Sequence, residues 1–300
     1  MVLTFSLVAA SVEAQTADSE IQPAPTSLPS AEQKSMELLA KFQDPAMVLW
    51  LEADGEKFLS LYRQALNGHA KGTVLLLHAE GQHPDWPGAL SYLRNRLPEL
   101  GWNTLSISLP DPKLATVTTT MEESPLRPPE VLEETQEIFD PSTDSVSDGS
   151  LIPNPGSKKS ALSDNPTEAK AVERIVATVD YIKQQNNPAI ILYGQGVGAL
   201  RASRYWQETG DNAIKSLIFV DAQNGLPHSD FQLSKALNNP KMPVLDIVHS
   251  RAIDAELGGK QRAEHAAMMG LQAYQQHWFA EDNERLANMV YGFLRRNVSH

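Results

Sequence analysis

Residues 189–202 constrain this chain more than any other stretch. Ala189-Ile190-Ile191-Leu192-Tyr193 is a continuous apolar run, Gly194, Gly196 and Gly198 follow at alternate positions, and Ala199-Leu200-Arg201-Ala202 opens a helical pattern. A strand that is apolar on both faces needs cover on both, which parallel sheets flanked by helices supply. Glycines at this density let the chain leave the strand through a sharp turn and enter a helix at once. The segment therefore predicts an α/β fold with a mostly parallel sheet and helices on both faces.

The rest of the sequence supplies the other strands in order. Ser30-Ala31-Glu32-Gln33 reads as a capping box opening a helix that runs to about Phe42. Met47 to Leu51 and Lys57 to Arg63 flank an Asp54-Gly55 turn, which predicts an N-terminal β-hairpin. Thr73 to Leu77 is a second apolar strand, followed by a helix from about Pro87 to Leu100 and a strand from Asn103 to Leu109. After an interruption come a helix at Glu168 to Gln185, the glycine turn and its helix, strands at Ser216 to Val220 and Pro243 to Val248, and a helix near Glu256 to Met269. A last strand over Leu271 to Phe279 and an amphipathic helix carrying Leu286, Met289, Val290 and Phe293 close the chain.

The interruption at about 110–166 holds nine of the twenty prolines, with acidic and Ser/Thr-rich runs. Its few apolar residues do not repay the entropy of ordering, so it is expected to be a low-complexity, weakly structured insertion in a single domain spanning 30–300. At the N-terminus, Val2 to Ala10 is a short apolar run, and Val12-Glu13-Ala14 resembles a small-x-small cleavage site. Residues 1–14 are thus expected to be a signal peptide, and the Ala/Pro/Ser/Thr-rich 15–29 a linker, giving a periplasmic or secreted protein. No segment reaches transmembrane length. The net charge of −12 argues against nucleic acid as a partner, and the absence of cysteine excludes disulfides, thiol catalysis and Cys-ligated zinc.

The strand–turn–helix at 190–202 has the layout of a nucleophile elbow, Gly-x-Ser-x-Gly, in which strained geometry lifts a serine above the sheet. Here the central residue is Gly196, which has no side chain with which to attack. Upstream, Leu75-Leu76-Leu77-His78-Ala79-Glu80-Gly81 resembles the His-Gly-x-Gly turn after the third strand of α/β-hydrolases, with Ala79 in place of the first glycine. Together with His83-Pro84-Asp85-Trp86, Leu100-Gly101-Trp102-Asn103 and Ser108-Leu109-Pro110-Asp111, the chain resembles an uncharacterised family of exported Gram-negative bacterial proteins within the α/β-hydrolase superfamily. The resemblance implies an α/β-hydrolase-like fold. It also implies an oxyanion wall and cleft around His78, Ala79, Gly81 and the Val197 amide.

The superfamily's chain order, nucleophile then acid then histidine, places the triad slots at Gly196, Asp254 and His277. Asp246 is a less favoured acid within its strand, His265 and His249 are weaker bases, His300 is terminal, and Ser203 lies too far into the helix to replace the serine. Gly194-x-Gly196-x-x-Ala199 with Asp221 about twenty residues on also satisfies a dinucleotide fingerprint, although that motif usually follows the first strand of its domain. His78 and His83 near Asp85 lack the helical register of a zinc site, so no metal or cofactor is expected. Three functions follow. The first is a pseudo-hydrolase that binds a small molecule or an envelope protein, the second an esterase-like hydrolase with a non-standard nucleophile, and the third a dinucleotide-binding protein.

Overall fold

The structure, a computed structural model, describes residues 30–111, 165–185, 189–225, 232–249, 253–279 and 282–298. The expected signal peptide (1–14), the linker (15–29) and nearly all of the 110–166 insertion lie outside these residues.

Ser30 acts as the cap its spacing predicts: its hydroxyl accepts the Gln33 N–H at 3.1 Å, and helix α1 (Ala31–Lys41) follows. The hairpin forms from β1 (Val48–Ala53) and β2 (Glu56–Arg63), joined through Asp54 and Gly55 at φ 47° and 74°. Two consecutive positive φ values give the turn that matches the twist of paired strands. Then come β3 (Thr73–Leu77), α2 (Ala89–Arg96) with a 3-10 turn at Leu97–Leu100, and β4 (Asn103–Ile107). The helical stripe through Leu100 breaks into two because Pro98 has no N–H to continue the α pattern. Beyond the insertion lie α3 (Pro166–Gln184), β5 (Ile190–Gln195), α4 (Val197–Thr209) and β6 (Ile214–Val220). The chain ends with α5 (Leu233–Ala236), β7 (Val244–His249), α6 (Ile253–Met268), β8 (Tyr274–Phe279) and α7 (Asn283–Asn297).

Among the described residues, eight strands form one sheet in the order β1-β2-β4-β3-β5-β6-β7-β8, with β2 antiparallel to both its neighbours and the remaining pairs parallel. The period-two alternation divides each central strand between two cores. Leu75, Leu77, Leu192, Leu217 and Phe219 pack with α1, α3 and α4 on one face. Val74, Leu76, Ile191, Tyr193, Ile218 and Ile247 pack with α2 and α7 on the other. This is an α/β-hydrolase-like fold, and no helix among the described residues is long and apolar enough to cross a membrane.

The topology fixes where a ligand crevice can open. β3 and β5 are neighbours, yet the chain leaves β3 toward β4 on one side and leaves β5 toward β6 on the other. Connections that depart in opposite directions leave a gap above the carboxyl ends of the two strands, where open α/β sheets bind their ligands. His78–Gly81 follows β3 and Gly196 follows β5, so both predicted motifs border this gap.

Candidate active site

Gly196 joins β5 to α4 at φ 55°, ψ −119°, a conformation that L side chains rarely adopt. Gly194 and Gly198, two positions to either side, are glycine because of close approach. A Cβ on Gly194 would lie 2.3 Å from the Ala199 backbone, and one on Gly198 would lie 2.5 Å from the Leu77 carbonyl oxygen and 2.6 Å from that of His78. These two glycines seat the start of α4 against the ends of β5 and β3. The Gly196 N–H donates to the Val220 carbonyl at 3.0 Å, and the Gly196 carbonyl accepts the Gln223 N–H at 3.2 Å, which ties the turn to the end of β6. Behind it, buried Arg201 of α4 grips buried Glu168 of α3 through both carboxylate oxygens. The elbow is thus built and braced, with a glycine at its centre.

The β3 turn forms the facing wall. His78 is buried, and its Nε2 accepts the Leu109 N–H at 2.9 Å, so Nδ1 carries the proton and donates to the Ala79 carbonyl at 2.7 Å. Burial, the largest cause, pushes its pKa down to about 4. A neutral imidazole with both nitrogens engaged is a strut between the β3 and β4 ends and has no free nitrogen for general-base work. The Ala79 N–H, the amide expected in the oxyanion wall, donates to the Gln82 side-chain oxygen at 3.2 Å. Gly81 stands at φ 71°, with open space where a Cβ would point. A Cβ added to Gly196 would come within 3.0 Å of the Ala79 methyl. The Ala79 methyl therefore stands against the position that a side chain at 196 would occupy.

The His83-Pro84-Asp85-Trp86 block holds this wall in place. The Asp85 N–H donates to His83 Nδ1 at 3.2 Å, and Ser106 Oγ donates to the Pro84 carbonyl at 2.7 Å. The Asp85 carboxylate pairs with buried Arg94 and accepts Gln43 Nε2 at 2.9 Å. Partial burial alone would raise the Asp85 pKa, but the hydrogen bond from Gln43 and the charge of Arg94 outweigh it and hold the pKa low. The His83 and Trp86 rings meet edge to face at 5.2 Å.

Of the two other expected site residues, only His277 has a described side chain. His277 lies within β8, and the register runs Gln195 to Val220 to Ile247 to His277 across three strand pairings. At an inter-strand spacing of about 4.8 Å, this puts roughly 14 Å of sheet between His277 and the turn, beyond an imidazole's reach. Its side chain is exposed and points to the α7 face, because Tyr274 and Gln276 reach Asp246 on the α6 face. By register His277 stands three strand pairings from Gly196, and the pleat of β8 decides the side of the sheet on which it stands. Asp246, the alternative acid, is fully buried and committed to Arg262 of α6 through both oxygens, with Tyr274 and Gln276 as further donors.

Asp254 is the second residue of α6, and its side chain lies outside the described residues, as do those of His249 and His300. Ser203 is buried inside α4 with its hydroxyl unpartnered, and His265 is on α6, partly buried. Asp221 follows β6 at φ 47°, its N–H donating to the Ile247 carbonyl at 2.9 Å. Sequence reasoning missed Gln82, whose role depends on the tight turn after Ala79, and the Arg201–Glu168 clamp. The signal for the clamp was a charged residue placed on the buried stripe of each helix.

Comparison with known proteins agrees with the fold. An esterase of Pyrococcus furiosus superposes with a TM-score of 0.55 at 14% identity, covering 84% of this chain and 90% of the esterase. Dienelactone hydrolase of Anabaena variabilis gives 0.56 at 14% identity, covering 84% and 97%. Est1E of Butyrivibrio proteoclasticus, solved with ferulic acid bound, gives 0.54 at 13%, covering 84% and 100%. No curated protein matches the sequence. The sequence model of a family described as "Protein of unknown function (DUF3530)" matches residues 1–296.

Proposed function

Since the chain belongs to the DUF3530 family, we propose a function from its own site: an exported pseudo-hydrolase whose crevice binds a small molecule or an envelope protein without a serine-based hydrolytic step. The observation that carries this reading is Gly196 at φ 55°, ψ −119°, with the Ala79 methyl 3.0 Å from where its Cβ would stand. A serine-type hydrolase attacks with a hydroxyl at the centre of the elbow, and little rate enhancement survives its loss because nucleophile, base and acid act as a unit. His277 three strands away and His78 locked as a neutral strut support the same reading. The crevice at the switch between β3 and β5 remains a natural seat for a ligand. The dinucleotide alternative has less support, since the glycine turn follows the fifth strand in a hydrolase strand order.

The test is covalent labelling of the purified protein with a fluorophosphonate probe, beside hydrolysis of a short acyl ester at high protein concentration. The expected result is no label and no turnover above buffer. A stoichiometric label on any hydroxyl would overturn the reading in favour of an active hydrolase with an unconventional nucleophile. Export rests on residues 2–14 of the sequence. Cell fractionation is expected to find mature protein beginning near Gln15 outside the cytoplasm, and full-length protein confined to the cytosol would refute it.

A further inference from the structure

Among the described residues, β8 is an edge strand of the sheet. It pairs with β7 on one side, and no described strand pairs with its other side. Edge strands are ordinarily protected by a charge, a proline or a bulge. Residues 270–279, Gly-Leu-Gln-Ala-Tyr-Gln-Gln-His-Trp-Phe, contain no charged residue and no proline, and the β7/β8 register is unbroken. Trp278 of β8 is 46% exposed. Beside the strand, on the α6 face, lies an open groove of about 470 Å³ lined by Ala263, Ala266, Ala267, Gly270, Tyr274 and Gln276.

We propose that β8 is the contact through which two copies of this chain pair, antiparallel and about a two-fold axis, into one continuous sheet. Such an axis perpendicular to the sheet must pass midway between the two copies of one residue, because directly opposed side chains point to the same face. Centring it on Gln276 aligns 274–278 with the same five residues of the second copy. Tyr274 then stands opposite Trp278 of the other copy, on the face that carries the groove. Each exposed indole comes to lie beside the small side chains of α6 and the Tyr274 ring. On the opposite face Gln275 meets His277, and at the centre Gln276 meets its own counterpart. Aromatic–aromatic and neutral hydrogen-bonding pairs are the cross-strand combinations that stabilise a ladder.

Charge selects a second copy as the occupant and β8 as the edge. An isologous pairing sets each strand against itself, so any charged residue at its centre would meet a like charge. β1, the other edge strand, carries Glu52 and runs into Asp54 and Glu56, so pairing it with itself would crowd carboxylates. With a net charge of −12, two copies repel over most of their surfaces. The uncharged 270–279 segment is where they can approach without that cost.

Sedimentation equilibrium of the whole chain at rising concentration tests the proposal. The expected result is a mass tending to twice that of the chain. Gln275→Lys combined with His277→Lys puts lysine opposite lysine twice and should leave a monomer. Gln275→Glu combined with His277→Lys puts opposite charges together and should keep the dimer. Trp278→Ser should raise the dissociation constant about tenfold or more, as expected for an aromatic anchor. Circular dichroism melts establish that each variant is folded. If the double-lysine variant fails to fold, the Trp278→Ser and opposite-charge variants still decide. A wild type that stays monomeric throughout, or a dimer unaffected by all three changes, would overturn the proposal.

Discussion

At position 196 the missing side chain and the backbone conformation are coupled. A positive φ with a strongly negative ψ strains any residue but glycine, and hydrolases that place a serine there hold it with surrounding structure. Here the Ala79 methyl also stands 3.0 Å from the vacant Cβ position. Gly196→Ser is therefore expected to destabilise the fold by about 1–3 kcal/mol in urea unfolding. Adding Ala79→Gly should leave the double variant more stable than the two single costs predict, by about 0.5 kcal/mol or more. Simple additivity would show that the two positions do not share space.

His78 gives a second residue-scale expectation. Its folded pKa, about 4, lies below the ordinary 6.5. The stability it contributes is thus complete above pH 6.5 and is lost as pH falls toward 4, roughly 3 kcal/mol in all. Asp85 is held below its usual 3.8, so its loss falls at lower pH. Urea midpoints between pH 7 and 4.5 should fall steeply for wild type and much less for His78→Gln. An equal slope in the variant would assign the acid sensitivity elsewhere. The sequence displayed the glycine turn at 194–198 and the turn at 78–81. It could not display the Ala79–Gly196 contact, because residues far apart in the chain meet only once β3 and β5 pair.

At the scale of elements, the strands were the most legible part, because an apolar run between glycines and turn residues has few other readings. Thr73–Leu77 and the helix from Val197 follow the sequence pattern closely, while β8 begins at Tyr274 because Gly270, at φ 62°, and the turn after it take up the first residues of the apolar stretch. α5, a single turn of four residues, is too short to show a helical period. The clearest clue left unread was Asp246, a lone carboxylate in an apolar strand, which demands a buried cation. Arg262 supplies it with bonds of 2.8 and 3.0 Å and donates to the Ala222 carbonyl at 2.9 Å, while Tyr274 donates at 2.6 Å. Burial, then the neighbouring carboxylate, push the Tyr274 pKa up, so its hydroxyl stays protonated as a donor. This network joins α6, β7 and β8. Arg262→Met should strand a buried charge and cost about 3–5 kcal/mol, whereas Arg262→Met with Asp246→Leu should recover much of that loss. A single variant as stable as wild type in urea would show that water reaches the carboxylate.

Across the whole molecule, one sheet serves as the common floor of two cores. Adjacent residues of the same strand face opposite cores, Ile191 against α2 and α7, Leu192 against α3 and α4. Neither core can lose its helices and keep a properly packed sheet for the other, which argues that the described residues unfold as one cooperative unit. The tryptophans allow each core to be watched separately. Trp102 is fully buried on the α2/α7 side and Trp206 nearly so on the α3/α4 side, whereas Trp50, Trp86 and Trp278 are exposed. Replacing the exposed three with phenylalanine, and then either buried one, leaves a reporter in a single core. Both reporters should shift to red emission at the same urea concentration, coincident with the loss of far-UV circular dichroism, once each is corrected for the stability cost of its own substitution. If Trp102 reported an earlier transition than Trp206, α2 and α7 would form a separately melting layer. The elbow and the β3 turn would then rest on a floor that outlasts half of its cover, and the crevice could open by local unfolding rather than by the motion of any one loop.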